Sequence, residues 1–143
     1  MISSYCLTEP GSGSDAQAMK SNAKLDGDDW VLNGSKAFIS CAALADIFVV
    51  MMKTANNKVS CFGVPADTKG ITVGKNEVKM GWNAQPTNGI TFDDVRIPKS
   101  YLIGEEGKGF NIAMAGLNGG RINIASCSLG GAWFALDKTG EYM

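Results

Sequence analysis

The sequence contains no histidine. That absence removes Ser-His-Asp triads, Cys-His pairs and histidine-ligated metal centres from consideration. It has little excess charge of either sign: thirteen Lys and Arg stand against fourteen Asp and Glu, a formal net charge of −1. Nucleic-acid binding needs a strong basic excess on one face, so no nucleic-acid partner is expected. Cys6, Cys41, Cys61 and Cys127 stand far apart, with no Cys-x-x-Cys pair among them. Isolated, buried, reduced thiols are the expectation, and no metal site is read from them. Long hydrophobic runs are also missing. The most apolar stretch, residues 37–52, falls short of the roughly 20 residues needed to span a bilayer and would carry Asp46 into it. No membrane span and no secretory or transit segment is read.

What is present is a globular composition, 45% hydrophobic and 19% charged over 143 residues. Glycine is over-represented, with 18 residues spread along the whole length, so it serves as punctuation rather than as a low-complexity tail. Up to about Ile103 the pattern is of short strands separated by turn residues. Residues 19–25, 30–39, 47–54, 59–64, 71–73 and 89–95 read as six strands, with breaks at Asp26-Gly27-Asp28, Asn56-Asn57, residues 65–70 and residues 83–86. An Asn33-Gly34 turn interrupts the alternation inside the second of them. The fold class expected is mainly β, an antiparallel barrel or sandwich. After Gly104 the texture becomes helical. Phe110, Ile112, Ala113, Met114 and Leu117 recur at three- and four-residue steps, and a second such stretch runs from about Ile122 to the end. Asn118-Gly119-Gly120 is expected to separate two helices or to kink the path.

Three segments could carry chemistry. Leu7-Thr8-Glu9-Pro10-Gly11-Ser12-Gly13-Ser14-Asp15 combines a rigid Pro-Gly turn with small residues and three hydroxyls. Its glycines would let freed N–H groups approach a ligand, although a plain surface turn accounts for the same composition. Neither a Walker A loop nor a Rossmann fingerprint is present, and the lead-in Gly104-Glu105-Glu106-Gly107-Lys108-Gly109 carries two carboxylates that argue against an anion. In Gly34-Ser35-Lys36-Ala37-Phe38-Ile39-Ser40, Phe38 and Ser40 share one strand face. That face is either strand core or a flat surface suited to a planar heterocycle. In Asn118-Gly119-Gly120-Arg121 the guanidinium could clamp a phosphate or carboxylate, or pair with a neighbouring carboxylate.

Taken in order, these segments resemble the acyl-CoA dehydrogenase family of flavoproteins. Tyr5-Cys6-Leu7-Thr8-Glu9-Pro10-Gly11-Ser12-Gly13-Ser14-Asp15 is similar to the family's first flavin-binding signature, and Leu32-Asn33-Gly34-Ser35-Lys36-Ala37-Phe38-Ile39-Ser40 to the second. Phe92-Asp93-Asp94-Val95-Arg96-Ile97-Pro98 and Gly104 to Phe110 follow the family pattern too. Gly81-Trp82-Asn83-Ala84-Gln85-Pro86-Thr87 and the stretch from Leu117 to Ser126 resemble the branch of the family that oxidises isobutyryl-CoA.

The resemblance implies α,β-dehydrogenation of an acyl-CoA thioester with FAD as cofactor. Electrons would leave to an electron-transfer flavoprotein, and a carboxylate would take the α-proton. For the isobutyryl branch the product is methacrylyl-CoA, a step of valine breakdown in the mitochondrial matrix. By position, Tyr5, Cys6, Leu7, Thr8, Glu9, Pro10, Gly11, Ser12, Gly13 and Ser14 would line the FAD, with Phe38, Ile39 and Ser40 against the flavin ring. Ser14, Asn118, Gly119, Gly120 and Arg121 would hold the CoA thioester. The resemblance further implies that residues 1–104 form the central β-domain and 105–143 the beginning of a C-terminal helical bundle. The chain would then be a fragment of an α+β multidomain flavoenzyme, homotetrameric when complete. The catalytic glutamate is expected downstream of residue 143, so no residue here is assigned that role and the fragment alone is expected to be inactive. A non-catalytic β-barrel that binds flavin, acyl-CoA or a partner chain is the alternative.

Overall fold

The computed structural model describes residues 1–143, the side chain of Asn56 excepted. Eight strands are present: β1 (Ser3–Cys6), β2 (Asn22–Asp26), β3 (Asp29–Ser40), β4 (Ile47–Lys53), β5 (Val59–Pro65), β6 (Ile71–Asn76), β7 (Thr87–Pro98) and β8 (Leu102–Ile103). One helix follows, α1 (Gly109–Tyr142). The chain divides into two compact units, Met1–Phe110 and Asn111–Met143.

The first unit is one sheet in the order β6-β7-β3-β2-β4-β5-β8, with β1 paired to β4. The path is open, with β6 and β8 at its two ends, rather than a closed barrel. Most neighbours are antiparallel as the turn residues lead one to expect, and Gly27 takes the left-handed φ of 64° that the tight β2–β3 reversal requires. Two strands escaped the sequence pattern. β1 is half serine and β8 has two residues, so neither shows a hydrophobic period. β1 also runs parallel to β4.

Two bulges shape the long β3–β7 ladder, and each reverses the inside-outside alternation. On β7 an extra residue at Asp93-Asp94 moves burial from Ile90 and Phe92 to Val95 and Ile97. On β3 an extra residue between Lys36 and Ile39 moves burial from Trp30, Leu32 and Lys36 to Ile39. The core gathers Trp30, Leu32, Phe48, Val50, Phe62, Ile90, Phe92 and Ile97. Within it, Trp30 and Phe62 meet edge to face at 5.3 Å, a geometry worth about 1 kcal/mol beyond the area it buries.

The second unit consists of the remainder of α1. The expected break at Asn118-Gly119-Gly120 does not occur, and one helix runs through it. Glycine weakens a helix by about 1 kcal/mol per residue, but it keeps both backbone hydrogen-bonding groups, so the i→i−4 ladder continues where a proline would have broken it. Ile122, Leu129, Trp133 and Leu136 recur on one side of α1, and all are exposed. Among the described residues no helix is long and apolar enough to cross a membrane. All four cysteines are free. Cys6 and Cys61 are buried as expected, whereas Cys41 is half-buried and Cys127 is exposed on α1.

Candidate functional site

Residues 7–21 form a loop that leaves and rejoins the sheet along one edge of β4. The chain departs where Cys6 pairs with Val50 and returns where Asn22 pairs with Lys53. Within the loop, Glu9 and Ser12 exchange both backbone hydrogen bonds, at 2.9 and 3.1 Å, around the Pro10-Gly11 turn. The Ser12 hydroxyl donates to the Asp15 carbonyl at 2.6 Å. The Glu9 carboxylate turns inward and accepts from the backbone N–H of Lys20 at 2.6 Å and of Ser21 at 3.1 Å.

Lys36 meets this carboxylate from β3. Its side chain is fully buried, and its ammonium donates to Glu9 Oε1 at 2.8 Å and to the Leu7 carbonyl at 3.2 Å. Burial alone would raise the Glu9 pKa, but the Lys20 amide, the Lys36 ammonium and the Ser21 side chain outweigh it and hold the carboxyl below its ordinary value. Burial pushes Lys36 down, with Glu9 offsetting part of the shift. Burial likewise pushes the Cys6 thiol up to about 12, and the Tyr5 phenol to about 12 with a smaller contribution from Cys61.

Two more bonds join the loop and β1 to β3. The Ala37 N–H donates to the Thr8 carbonyl at 2.8 Å, and the Ser4 hydroxyl donates to the Ser40 carbonyl at 2.7 Å. The two segments singled out in the sequence are therefore joined into one site, although thirty residues separate them. The bulge after Lys36 gives the second segment its character. In an unbulged strand Phe38 would fall on the buried face with Trp30 and Leu32. Instead it adopts a left-handed φ of 58° and is 65% exposed, so it is not strand core. Ser40 is exposed beside it in sequence, with Ile39 buried between them.

The candidate residues thus divide by direction. Tyr5, Pro10, Gly11, Gly13, Ser14, Phe38 and Ser40 are exposed and Thr8 is half-buried, whereas Cys6, Leu7, Glu9, Ser12 and Ile39 face inward. Sequence reasoning missed Lys36, Ser4 and Ser21 as the groups that fasten the site. The one available signal was a lysine in phase with Trp30 and Leu32. Asn118, Gly119, Gly120 and Arg121 lie on exposed turns of α1 in the second unit. There Arg121 Nη1 donates to Asn118 Oδ1 at 2.8 Å rather than pairing with a carboxylate. Between β6 and β7, Lys79 gathers the Trp82 and Gln85 carbonyls and the Thr87 hydroxyl, leaving Trp82 exposed at a φ of 55°. A cleft of about 710 Å³, bordered by Lys24, Trp30, Lys53 and Asn57, lies at the β2 end of β4.

The family model of the acyl-CoA dehydrogenase middle domain matches residues 4–95, the stretch that contains the loop, both bulges, all of β3 and most of β7. The chain belongs to the acyl-CoA dehydrogenase family. It is 56% identical over 135 residues to the mitochondrial isobutyryl-CoA dehydrogenase of Dictyostelium discoideum, covering 92% of this chain and 32% of that protein. The structure of butyryl-CoA dehydrogenase from Megasphaera elsdenii superposes with a TM-score of 0.84 at 40% identity, covering 87% of this chain and 34% of that one. That of an acyl-CoA dehydrogenase complexed with FAD from Bacillus anthracis gives 0.80 at 43% identity, covering 82% and 21%. The chain spans about a third of the length of the curated relative it matches at 56% identity.

Proposed function

We propose that the chain forms part of the flavin and thioester site of an enzyme that oxidises a short branched acyl-CoA to its α,β-unsaturated product. Isobutyryl-CoA, giving methacrylyl-CoA, is the substrate assigned, in keeping with the 56% identity to an isobutyryl-CoA dehydrogenase. The observation that carries the reading is the junction of the 7–15 loop with β3, sealed by the Thr8–Ala37 and Ser4–Ser40 bonds. It places donor-rich backbone next to a segment whose aromatic ring has been turned outward.

The residues present fit FAD. Phe38 offers an exposed flat face, and the Thr8, Ser14 and Ser40 hydroxyls engage no partner among the described residues, leaving them free for a polar ligand. Tyr5, Thr8, Pro10, Gly11, Gly13, Ser14, Phe38 and Ser40 would hold the cofactor directly. Cys6, Leu7, Glu9, Ser12 and Ile39 would support them from within. When bound, FAD would supply the two-electron acceptor that thioester oxidation requires. Ser14, Asn118, Gly119, Gly120 and Arg121 are assigned to the CoA thioester, the guanidinium facing its anionic groups. Glu9 is committed to Lys36 and does not serve as the base; none of this chain's carboxylates is given the α-proton. Residues 1–104 act as the β-domain and 105–143 as the start of the helical portion, in a mitochondrial matrix enzyme that assembles as a homotetramer and passes electrons to an electron-transfer flavoprotein.

Titration of the purified chain with FAD, followed by flavin fluorescence and the visible bands, tests the reading. Saturable binding that weakens in Phe38→Ala and Ser40→Ala supports it, and wild-type behaviour of both variants overturns the assignment of β3 to the ring. Turnover of isobutyryl-CoA by the chain on its own would overturn the assignment of the base elsewhere.

A further inference from the structure

We propose that Glu9 and Lys36 are a positioning pair that aims the Leu7–Thr8 peptide, with its N–H outward, at the cofactor. The proposal rests on the flavin reading above and adds what holds the cradle in its binding shape.

The argument begins with the peptide itself. The Leu7 carbonyl accepts from the buried Lys36 ammonium at 3.2 Å, so it points into the unit. Among the described residues no peptide bond is cis, and in a trans peptide the N–H points opposite to the carbonyl. The Thr8 N–H therefore points away from Lys36, and no acceptor takes it up among the described residues. A free backbone donor on a half-buried residue, held from behind by a cation, is preorganised for an acceptor atom on a ligand.

The same two side chains gather the rest of the site. Glu9 ties the start of the loop to its end through the Lys20 and Ser21 amides. Lys36 ties that loop to β3, and the residue after it binds the Thr8 carbonyl. The next residue is Phe38, exposed by the bulge that opens at Lys36. One buried ammonium thus stands at the crossing of the loop, the bulge and the outward-facing peptide.

Stability alone does not account for the pair. A buried ion pair is commonly matched or bettered by well-packed apolar or neutral residues of similar volume, because both charges lose their hydration. A neutral replacement separates the two roles. Lys36→Met removes the donor to Leu7, and Glu9→Gln in the same chain removes the charge left behind while keeping an acceptor for the Lys20 and Ser21 amides.

Wild-type chain, Lys36→Met and the double variant Glu9→Gln/Lys36→Met are titrated with FAD, and amide exchange is followed in each without ligand. The double variant keeps wild-type protection in β4 and β5 even if Lys36→Met alone unfolds. Its expected behaviour is FAD binding weakened by about tenfold or more, the scale of one lost preorganised contact, with a changed fluorescence of the bound flavin and faster exchange at Glu9 and Ser12. Wild-type affinity and spectrum in the folded double variant overturn the positioning role and leave the flavin reading intact. If the wild-type chain itself binds no FAD, the flavin reading fails for this chain and the positioning role falls with it.

Discussion

A Cβ added to Gly34 would lie 2.2 Å from the Ser21 hydroxyl oxygen and 2.6 Å from the Ser21 Cα. Gly34 also holds a φ of 142°, a backbone conformation that side-chain-bearing residues rarely adopt. The contact fixes where the far end of the 7–21 loop crosses β3, close to the Glu9 carboxylate that Ser21 binds. Gly34→Ala is therefore expected to destabilise the first unit by about 3 kcal/mol or more, combining overpacking with backbone strain. A methyl group on Gly11 would meet nothing within 4 Å, and Gly11 has no positive φ. Gly11→Ala is accordingly expected to stay within about 0.5 kcal/mol of wild type. Urea unfolding of the two variants side by side checks the contrast, and equal losses would refute it.

Asn33 and Asp94 explain why an Asn-Gly dipeptide sits inside a strand. The Asn33 amide donates to Asp94 Oδ1 at 2.9 Å, while its own oxygen accepts from the Asp94 N–H at 2.9 Å. The side chain fills the β7 bulge, where Asp94 takes a φ of 47°. Asn33→Ala removes both bonds at an exposed site, for an expected loss of about 1–2 kcal/mol. Faster amide exchange should appear at Asp94 and its neighbours on β7, with β4 and β5 unchanged. Uniformly faster exchange across the sheet would mean that the pair does not act locally.

These two sites also mark the limit of what the sequence disclosed. Asp26-Gly27-Asp28 is a turn in both readings, because two-residue reversals carry their own local chemistry. Asn33-Gly34 has the same turn chemistry, yet it lies within the twelve residues of β3. Its glycine answers to Ser21 and its asparagine to Asp94, partners that no local window contains. Phe38 repeats the lesson at the candidate site. The bulge that turns it outward depends on pairing with β7, fifty residues on. The family resemblance marked residues 5–15 and 32–40 as functional, but composition and periodicity left each open between a structural and a binding role. What local patterning could not show is the set of bonds that joins the two segments, chief among them those of a buried lysine that the pattern of apolar residues did not announce.

Acid should act on the site through Glu9. Its carboxyl is held below the ordinary value in the folded chain, so the folded state binds that proton less readily than the unfolded state does. The resulting stabilisation is fully present above the unfolded value, about pH 4.3, and is lost as pH falls through the lower folded one. Glu9→Gln cannot titrate, and it leaves the buried Lys36 ammonium without its charged partner, for an expected loss of about 3–5 kcal/mol at neutral pH. The gap in urea midpoint between wild type and Glu9→Gln should therefore be widest at neutral pH and shrink as acid protonates Glu9. A gap that stays constant down to the acid unfolding of the wild type would remove Glu9 as its cause.

Thiol chemistry gives a further check on the fold, since the nucleophile is the thiolate and its access matters as much as its pKa. Cys6 is pushed up to about 12 and Cys61 to about 11, both by burial. At pH 8 their thiolate fractions are roughly one in ten thousand and one in a thousand. Cys127 is exposed on α1 and Cys41 is half-buried after β3. Iodoacetamide at pH 8, read by peptide mass spectrometry, should alkylate Cys127 first and Cys41 more slowly. Cys6 and Cys61 should react only once urea opens the sheet, because Cys6 pairs with β4 through Val50 and Cys61 pairs with β4 through Met51. Their labelling should rise together at the unfolding midpoint, because β4 holds both. Early labelling of Cys6 with Cys61 still protected would show that β1 detaches from β4 on its own and that the loop at its end is not fixed by the sheet.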